Sequence, residues 1–148
     1  MKLKLRLNKA TEKEIITELK QKEIEISEDA KLTLTEDDYH EGMIACKDDN
    51  GKVLISVTDI CFIESIGKEV WVNTLKSKYR TSIRIYQFER ILPANDFLRI
   101  SNSVIIRRDS IQRIRPALSS KFYLTLKTGD IVDVTRTYFY KFKEFYGI

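Results

Sequence analysis

Residues 97–111 read FLRISNSVIIRRDSI, and their reading decides what kind of fold the rest of the chain can build. Phe97, Leu98 and Ile100 are apolar, and so are Val104, Ile105 and Ile106, with the polar knot Ser101-Asn102-Ser103 between them. Apolar and β-branched runs bounded by small polar residues mark two strands joined by a turn. Arg99 precedes the knot and the pair Arg107-Arg108 follows the second run. Short polar residues turn a chain. They also present an amide, hydroxyls and nearby cations to a polyanion. The knot by itself leaves both readings open.

Working outward, the strand pattern continues on both sides. GMIACKDDNGKVLISV, from residue 42, is two apolar runs around Asn50-Gly51. That predicts a hairpin with a type I′ turn, which needs positive φ at both central residues. DICFIES and EVWVNTL flank Ile66-Gly67-Lys68 and predict a second hairpin, whereas SKYRTSI is short and polar. RIYQFERILP changes period: Ile85, Phe88 and Leu92 fall at i, i+3 and i+7, a helix that Pro93 ends. KFYLTLKTGDIVDVT predicts a hairpin turned at Thr128-Gly129, and RTYFYKFKEFYGI puts Tyr138, Phe142 and Phe145 on one helical face.

The first 42 residues differ. KLKLRL (2–7) alternates as a strand does, and TEKEIITELKQKE opens with a capping box, Thr11 as N-cap and Glu14 three residues on. Ile15, Ile16 and Leu19 follow as a helical stripe, and AKLTLTE (30–36) alternates again. EDDYHEG (36–42) is polar and ends in Gly, a domain boundary. The expectation is a small α/β extension over 1–42 and a mainly β domain over 43–148, with about ten strands along the whole chain and short helices at the margin.

Of the 148 residues, 43% are apolar, enough for a core. No run approaches the roughly 18 to 20 apolar residues of a membrane span, and the charged, Leu-alternating start is no secretory signal. Cys46 and Cys61 have neither a CxxC nor a zinc spacing, which fits a reducing cytoplasm, and Cys61 reads as a small core residue. The net charge is +4, unevenly spread. Residues 1–45 hold 8 Lys and Arg against 11 Asp and Glu, a net of −3, and the remainder holds 18 against 11, a net of +7. The basic portion is drawn to polyphosphates.

Catalysis finds little to work with. The lone histidine, His40, stands in the polar boundary, and a nucleophile needs a base beside it. Asp37-Asp38 and Asp48-Asp49 fall in predicted turns, and Asp130 and Asp133 flank strand starts. There is no Gly-rich phosphate loop and no metal-ligand spacing in the sequence. A non-enzyme without cofactor or small-molecule substrate is expected.

Three turns suit nucleic acid instead: Lys68, the segment from Arg99 to Ser103, and Thr135-Arg136-Thr137 before the final helix. Asn pairs bidentately with adenine N6/N7 and Arg with guanine O6/N7. Ser and Thr hydroxyls and helix N-terminal N–H groups suit phosphate oxygens. Each residue also has a plain reading: Asn102 as an Asx-turn, Arg136 as a surface arginine, Lys68 as a solvated hairpin tip. Spacing cannot show that the three turns converge.

DICFIESIGKEVWVNT, YRTSIRIYQFERIL, FLRISNSVIIRRDSIQRI and KFYLTLKTGDIVDVTRTYFYKFKEF, in that order, resemble the LytTR family of bacterial DNA-binding domains over about 70% of the chain. The family order is an I-x-y-I-E-a strand, a hydrophobic helix ending at Leu, an F-x-R-x-h-x-S-x-x-V-N segment and a terminal l-x-x-G-x-x-i-x-V-S-R-x-y. The resemblance implies stacked antiparallel β-sheets with short flanking helices, binding DNA through inter-strand loops in the major groove without a recognition helix. It puts Lys68, Asn102 and Arg136 at base-contacting positions, with Arg99, Ser101, Ser103, Arg107, Thr135 and Thr137 expected on phosphates. Two departures stand out: Ser101 replaces the usual His after the R-x pair, and Arg107 replaces the Asn after V-V.

The resemblance further implies a transcriptional regulator that binds double-stranded promoter DNA as a homodimer on repeated half-sites. It looks like the stand-alone form of the family, since the 42 preceding residues are far short of a phosphoreceiver. By analogy alone, a membrane-protein regulator is a partner. The competing class is a non-catalytic β-rich module binding RNA or a protein. Exposed aromatics on a sheet face would favour RNA, and Trp71 and Tyr79 are the ones to watch.

Overall fold

The computed structural model describes residues 1–36 and 42–148, with Lys9 and Ala10 described by their backbone only. His40 and the pair Asp37-Asp38 lie outside the described residues. The chain forms two compact units, Met1–Glu41 and Gly42–Ile148.

In the first unit, β1 (Lys2–Arg6) is the centre of a three-stranded parallel sheet, between β2 (Glu25–Ile26) and β3 (Leu32–Thr35). Helix α1 (Lys9–Gln21) makes the crossover and buries Leu19. The helix starts earlier than the capping box predicts. Asn8 is the N-cap, and Thr11 and Glu14 lie inside the helix. Asn8 holds the extended backbone a cap needs (φ −64°, ψ 148°), while its amide donates to the Glu36 carboxylate and leaves the helix N–H groups alone.

The second unit is built on a seven-stranded antiparallel sheet in the order β5-β4-β8-β7-β6-β10-β9. Its strands are β4 (Met43–Asp48), β5 (Gly51–Ser56), β6 (Ile60–Ile66), β7 (Glu69–Thr74), β8 (Lys78–Thr81), β9 (Phe97–Arg99) and β10 (Val104–Arg107). A second antiparallel sheet holds β11 (Ile111–Ala117), β12 (Lys121–Leu126) and β13 (Ile131–Val134). Helix α2 (Ile85–Ile91) follows β8, and α3 (Phe139–Tyr146) closes the chain. This is the mainly β, stacked-sheet architecture expected of the resemblance.

Thirteen strands form among the described residues where the pattern predicts about ten. β8 shows why. Its KYRT alternates, but with Lys78 and Arg80 on an open face and Tyr79 and Thr81 turned inward, so the period is written in polar residues. The β4–β5 turn also departs from the type I′ reading. Asp48 pairs with Gly51, which leaves Asp49-Asn50 at the tip. The Asn50 N–H donates to Asp48 Oδ1 at 2.8 Å, and the positive φ of that turn falls on Gly51 (123°). The aspartate side chain closes the turn, so glycine's freedom is needed one residue later.

Two apolar layers lie on the two faces of the large sheet. Ile63, Val70, Val72 and Ile105 pack against Phe88 and Leu92 of α2 on one face. Phe62, Val104 and Ile106 meet Phe122, Leu124, Leu126, Val132, Val134 and Phe142 of the second sheet and α3 on the other. Both faces of β10 are therefore dry, which is why VII reads as a continuous apolar run. A bulge between Ile60 and Phe62 turns Cys61 to the same side as Phe62. Cys46 and Cys61 are both buried and unpaired, in different layers. Burial pushes the Cys46 thiol up to about 11.

Candidate nucleic-acid interface

The polar knot of residues 101–103 joins β9 to β10. Its turn is closed from within: the Ser103 N–H donates to Ser101 Oγ at 3.2 Å, and the Ile100 N–H to the Val104 carbonyl at 2.9 Å. Ser101 is therefore the turn residue and is buried, whereas Asn102 stands exposed at the apex. Arg99 stiffens the loop from below. Its Nε donates to the Ser101 carbonyl at 3.1 Å and its Nη2 to the Asn102 carbonyl at 2.6 Å, while Nη1 meets the Glu89 carboxylate on α2. The Asn102 side-chain amide has no partner among the described residues.

Two neighbouring turns are bonded to this loop. On one side the Ser65 N–H of β6 donates to the Ser103 carbonyl at 2.8 Å, two residues before the Gly67-Lys68 turn. In that turn Ile66 pairs with Glu69, Gly67 has φ 59° and Lys68 is exposed. On the other side the Thr135 N–H donates to the Ile100 carbonyl at 3.0 Å. A 3-10 turn, Arg136–Tyr138, follows with Arg136 and Thr137 exposed. The segments that lead into the three turns are thus hydrogen-bonded side by side, so the turns emerge at the same end of the stacked sheets.

Not every expected residue is free at that end. Arg107 stands at the far end of β10, four residues or roughly 13 Å from the loop at strand rise. Its Nη1 reaches the Thr58 carbonyl and its Nε lies 2.9 Å from Asp109 Oδ1. Arg99 faces inward, with a side chain 18% exposed and three of its donors engaged. Ser101 has its hydroxyl in the turn. In this structure Arg107 thus stands at the other end of its strand from the loop, and Arg99 and Ser101 are engaged in hydrogen bonds within it.

Sequence reading missed two residues of the site, Arg84 and Glu89. Arg84 is the N-cap of α2 and its Nη1 donates to the Lys68 carbonyl at 2.9 Å. Glu89 holds Arg99 across the turn at Pro93. The only signal was an acidic residue and a basic one on opposite sides of a helix stop, which is common on any surface.

Electrostatics around the site are mild. Burial holds the Glu64 carboxyl above the ordinary carboxylate range, with Asp130 adding to the effect. Trp71, opposite Glu64 on β7, is half-buried and carries the Lys78 ammonium 4.8 Å from its ring centroid. Tyr79 packs against the apolar layer that contains α2. Of the two aromatics that would report base stacking, one is thus half-buried against the core and the other already carries a cation on its ring. No helix of the described residues is long and apolar enough to cross a membrane.

Exposed polar side chains on rigid inter-strand turns, above a two-layer β core, are the layout of a nucleic-acid-reading β domain. Comparison with known proteins gives the family. Residues 50–147 match the model of the LytTr DNA-binding domain. The sensory transduction protein LytT of Bacillus cereus is 30% identical over 119 residues, 80% of this chain and 48% of that protein. An HTH-type transcriptional regulator of Staphylococcus aureus is 29% identical over 91 residues, covering 62% of this chain and 61% of that one. Among solved structures, the LytTr DNA-binding domain of a methyl-accepting/DNA response regulator from Bacillus cereus superposes with a TM-score of 0.70. That likeness, at 24% identity, covers 74% of this chain and all of the other, and concerns the fold. The chain spans about half the length of the LytT relative. It belongs to the LytTR family of DNA-binding domains.

Proposed function

We propose that this protein is a bacterial transcriptional regulator that reads duplex DNA sequence-specifically through the loop end of its stacked sheets, as a dimer on repeated half-sites. What supports this reading is that the segments leading into three turns are bonded to one another through the Ile100 and Ser103 carbonyls, with Asn102, Arg136 and Lys68 exposed on those turns. On this reading Asn102 and Arg136 take base edges in the major groove, Asn on adenine and Arg on guanine. Lys68 reaches a neighbouring base. Ser103, Thr135 and Thr137 take phosphate oxygens.

Residues 43–148 carry the binding and residues 1–42 form a separate extension. The +7 balance of residues 46–148 supports this division. The protein acts in the cytoplasm without catalysing a reaction, and its partners are promoter DNA, a second copy of the chain and, by family analogy, a membrane-protein regulator.

The test is selection of bound sites from random duplex DNA, followed by gel shifts on the selected duplex, its single strands and an RNA hairpin. The duplex should bind best. Its log affinity should fall linearly with log salt, by roughly 0.9 per phosphate neutralised. Preference for the single strands or the hairpin would remove the DNA reading in favour of the RNA module.

A further inference from the structure

We propose that helix α2 sets the specificity of the reading surface, with Arg84, Glu89 and Arg99 as positioning residues that themselves touch no DNA; this rests on the duplex-reading function above. α2 is anchored in the core by Phe88, fully buried, and by Leu92 at its end. From that fixed body two arms reach the surface. At its N-cap, Arg84 Nη1 holds the Lys68 carbonyl at 2.9 Å, while the Arg84 N–H donates to Gln87 Oε1 at 2.7 Å and so fixes the cap itself. Five residues on, Glu89 holds Arg99 Nη1, and Arg99 in turn holds the carbonyls of Ser101 and Asn102.

The chemistry favours control at a distance. A guanidinium is a planar fork of five N–H donors, so fixing one edge fixes the directions of the others. The Glu89 carboxylate orients that plane, and the plane orients two consecutive carbonyls of the loop. One belongs to Asn102, whose exposed amide is the proposed base reader. The second arm does the same for Lys68. Both arms grip backbone, so they set where side chains point without competing for what those side chains bind.

Losing Glu89 would give Arg99 a second role. With Glu89 present it is an internal clamp. Without Glu89 it becomes a loosely held cation beside the interface, able to take any phosphate. Loss of the clamp should therefore act on the two kinds of binding in opposite directions. A residue that only stabilises the fold would lower both together.

The experiment uses the full chain, the duplex selected by the wild-type protein and a scrambled duplex of equal length, with salt titrations and thermal melts of each variant. Glu89→Ala should weaken the selected duplex about tenfold, the lower part of the range for a lost base contact. It should strengthen the scrambled duplex and steepen its salt slope by about 0.9, one extra phosphate. Arg99→Met should lose the same selected-site affinity with no steeper slope, and Glu89→Ala added to it should change nothing more, since coupled residues are non-additive. Arg84→Met should lower selected binding alone, and Arg84→Lys should restore part of it through a single donor.

If Glu89→Ala is unfolded in the assay, Glu89→Gln, which keeps an acceptor and removes the charge, should shift both duplexes in the same senses by less. Equal losses on both duplexes, or an unchanged ratio, would overturn the inference while leaving the DNA reading standing. A wild-type ratio of one would overturn both.

Discussion

Asn102 carries two donors and an acceptor on one exposed side chain, while its own carbonyl is tied to Arg99 at 2.6 Å. A fixed backbone beneath an unengaged side chain suits base reading, because a mobile loop would pay its backbone ordering entropy on every binding event. Arg136 is placed similarly, exposed one residue after Thr135, whose N–H is bonded to Ile100. Asn102→Ala and Arg136→Ala should each cost about 1–3 kcal/mol on the selected site and much less on scrambled DNA. Equal effects on both, measured by fluorescence anisotropy, would make them phosphate contacts or turn residues. Glu64 gives a prediction of another kind. Its carboxyl is raised by burial first and by Asp130 second, so the folded chain holds that proton more tightly than the unfolded chain. Ionising it then lowers stability as pH rises from the ordinary carboxylate value through the folded one. Below both values the penalty is absent. Glu64→Gln should accordingly raise Tm at pH 7 and leave it unchanged near pH 3, as differential scanning calorimetry can check.

At the scale of elements, Arg108 fastens the end of β10 opposite the residue 101–103 loop to the last helix. Arg108 Nη1 donates to the Phe145 carbonyl at 2.9 Å, its guanidinium lies 3.9 Å from the Phe145 ring centroid, and its own carbonyl accepts the Tyr146 hydroxyl at 2.7 Å. α3 is thereby fastened at its C-terminal end, with Phe142 fully buried and Phe139 stacked on Phe122 at 4.9 Å. A hydrogen bond from a charged donor and a cation–π contact each contribute on the order of 1 kcal/mol or somewhat more. Arg108→Ala should therefore lower unfolding free energy by about 1–3 kcal/mol in urea titrations. The ratio of selected to scrambled binding should stay as in the wild type, because the start of the helix is held independently by the Thr135–Ile100 bond. A changed ratio in the folded variant would show that α3 transmits strain to Arg136.

For the whole molecule, one domain offering three short loops spans few base pairs, and a mismatch at each is worth only about 1–3 kcal/mol. Specifying one address among many therefore calls for two copies on two half-sites. If the sites lie on one face of the duplex, their centres should be roughly one helical turn, about 10 base pairs, or a multiple of it apart. Inserting about five base pairs between half-sites should weaken binding strongly, and inserting about ten should restore much of it. Indifference to both insertions would mark a monomeric reader.

Much of this was legible in one dimension. Apolar runs around glycine turns marked β6, β7, β12 and β13, the i, i+3, i+7 spacing with Pro93 marked α2, and Asn102 and Arg136 stood in turns. Those features depend on neighbours a few residues away, which a sequence displays. Apolar alternation gave no signal where the inward residues are themselves polar or amphipathic, as Tyr79 and Thr81 of β8 are, and the cap of α1 moved to Asn8, whose amide is engaged by a residue 28 positions away. The site divided along the same line. Residue types suited to DNA could be named from the sequence, but not which of them are free. Arg99, Arg107 and Arg136 are alike on paper. Only the fold turns Arg99 onto two carbonyls and Glu89, sends Arg107 to Thr58 and Asp109, and leaves Arg136 exposed. A guanidinium binds the nearest acceptors, and long-range strand pairing decides which those are.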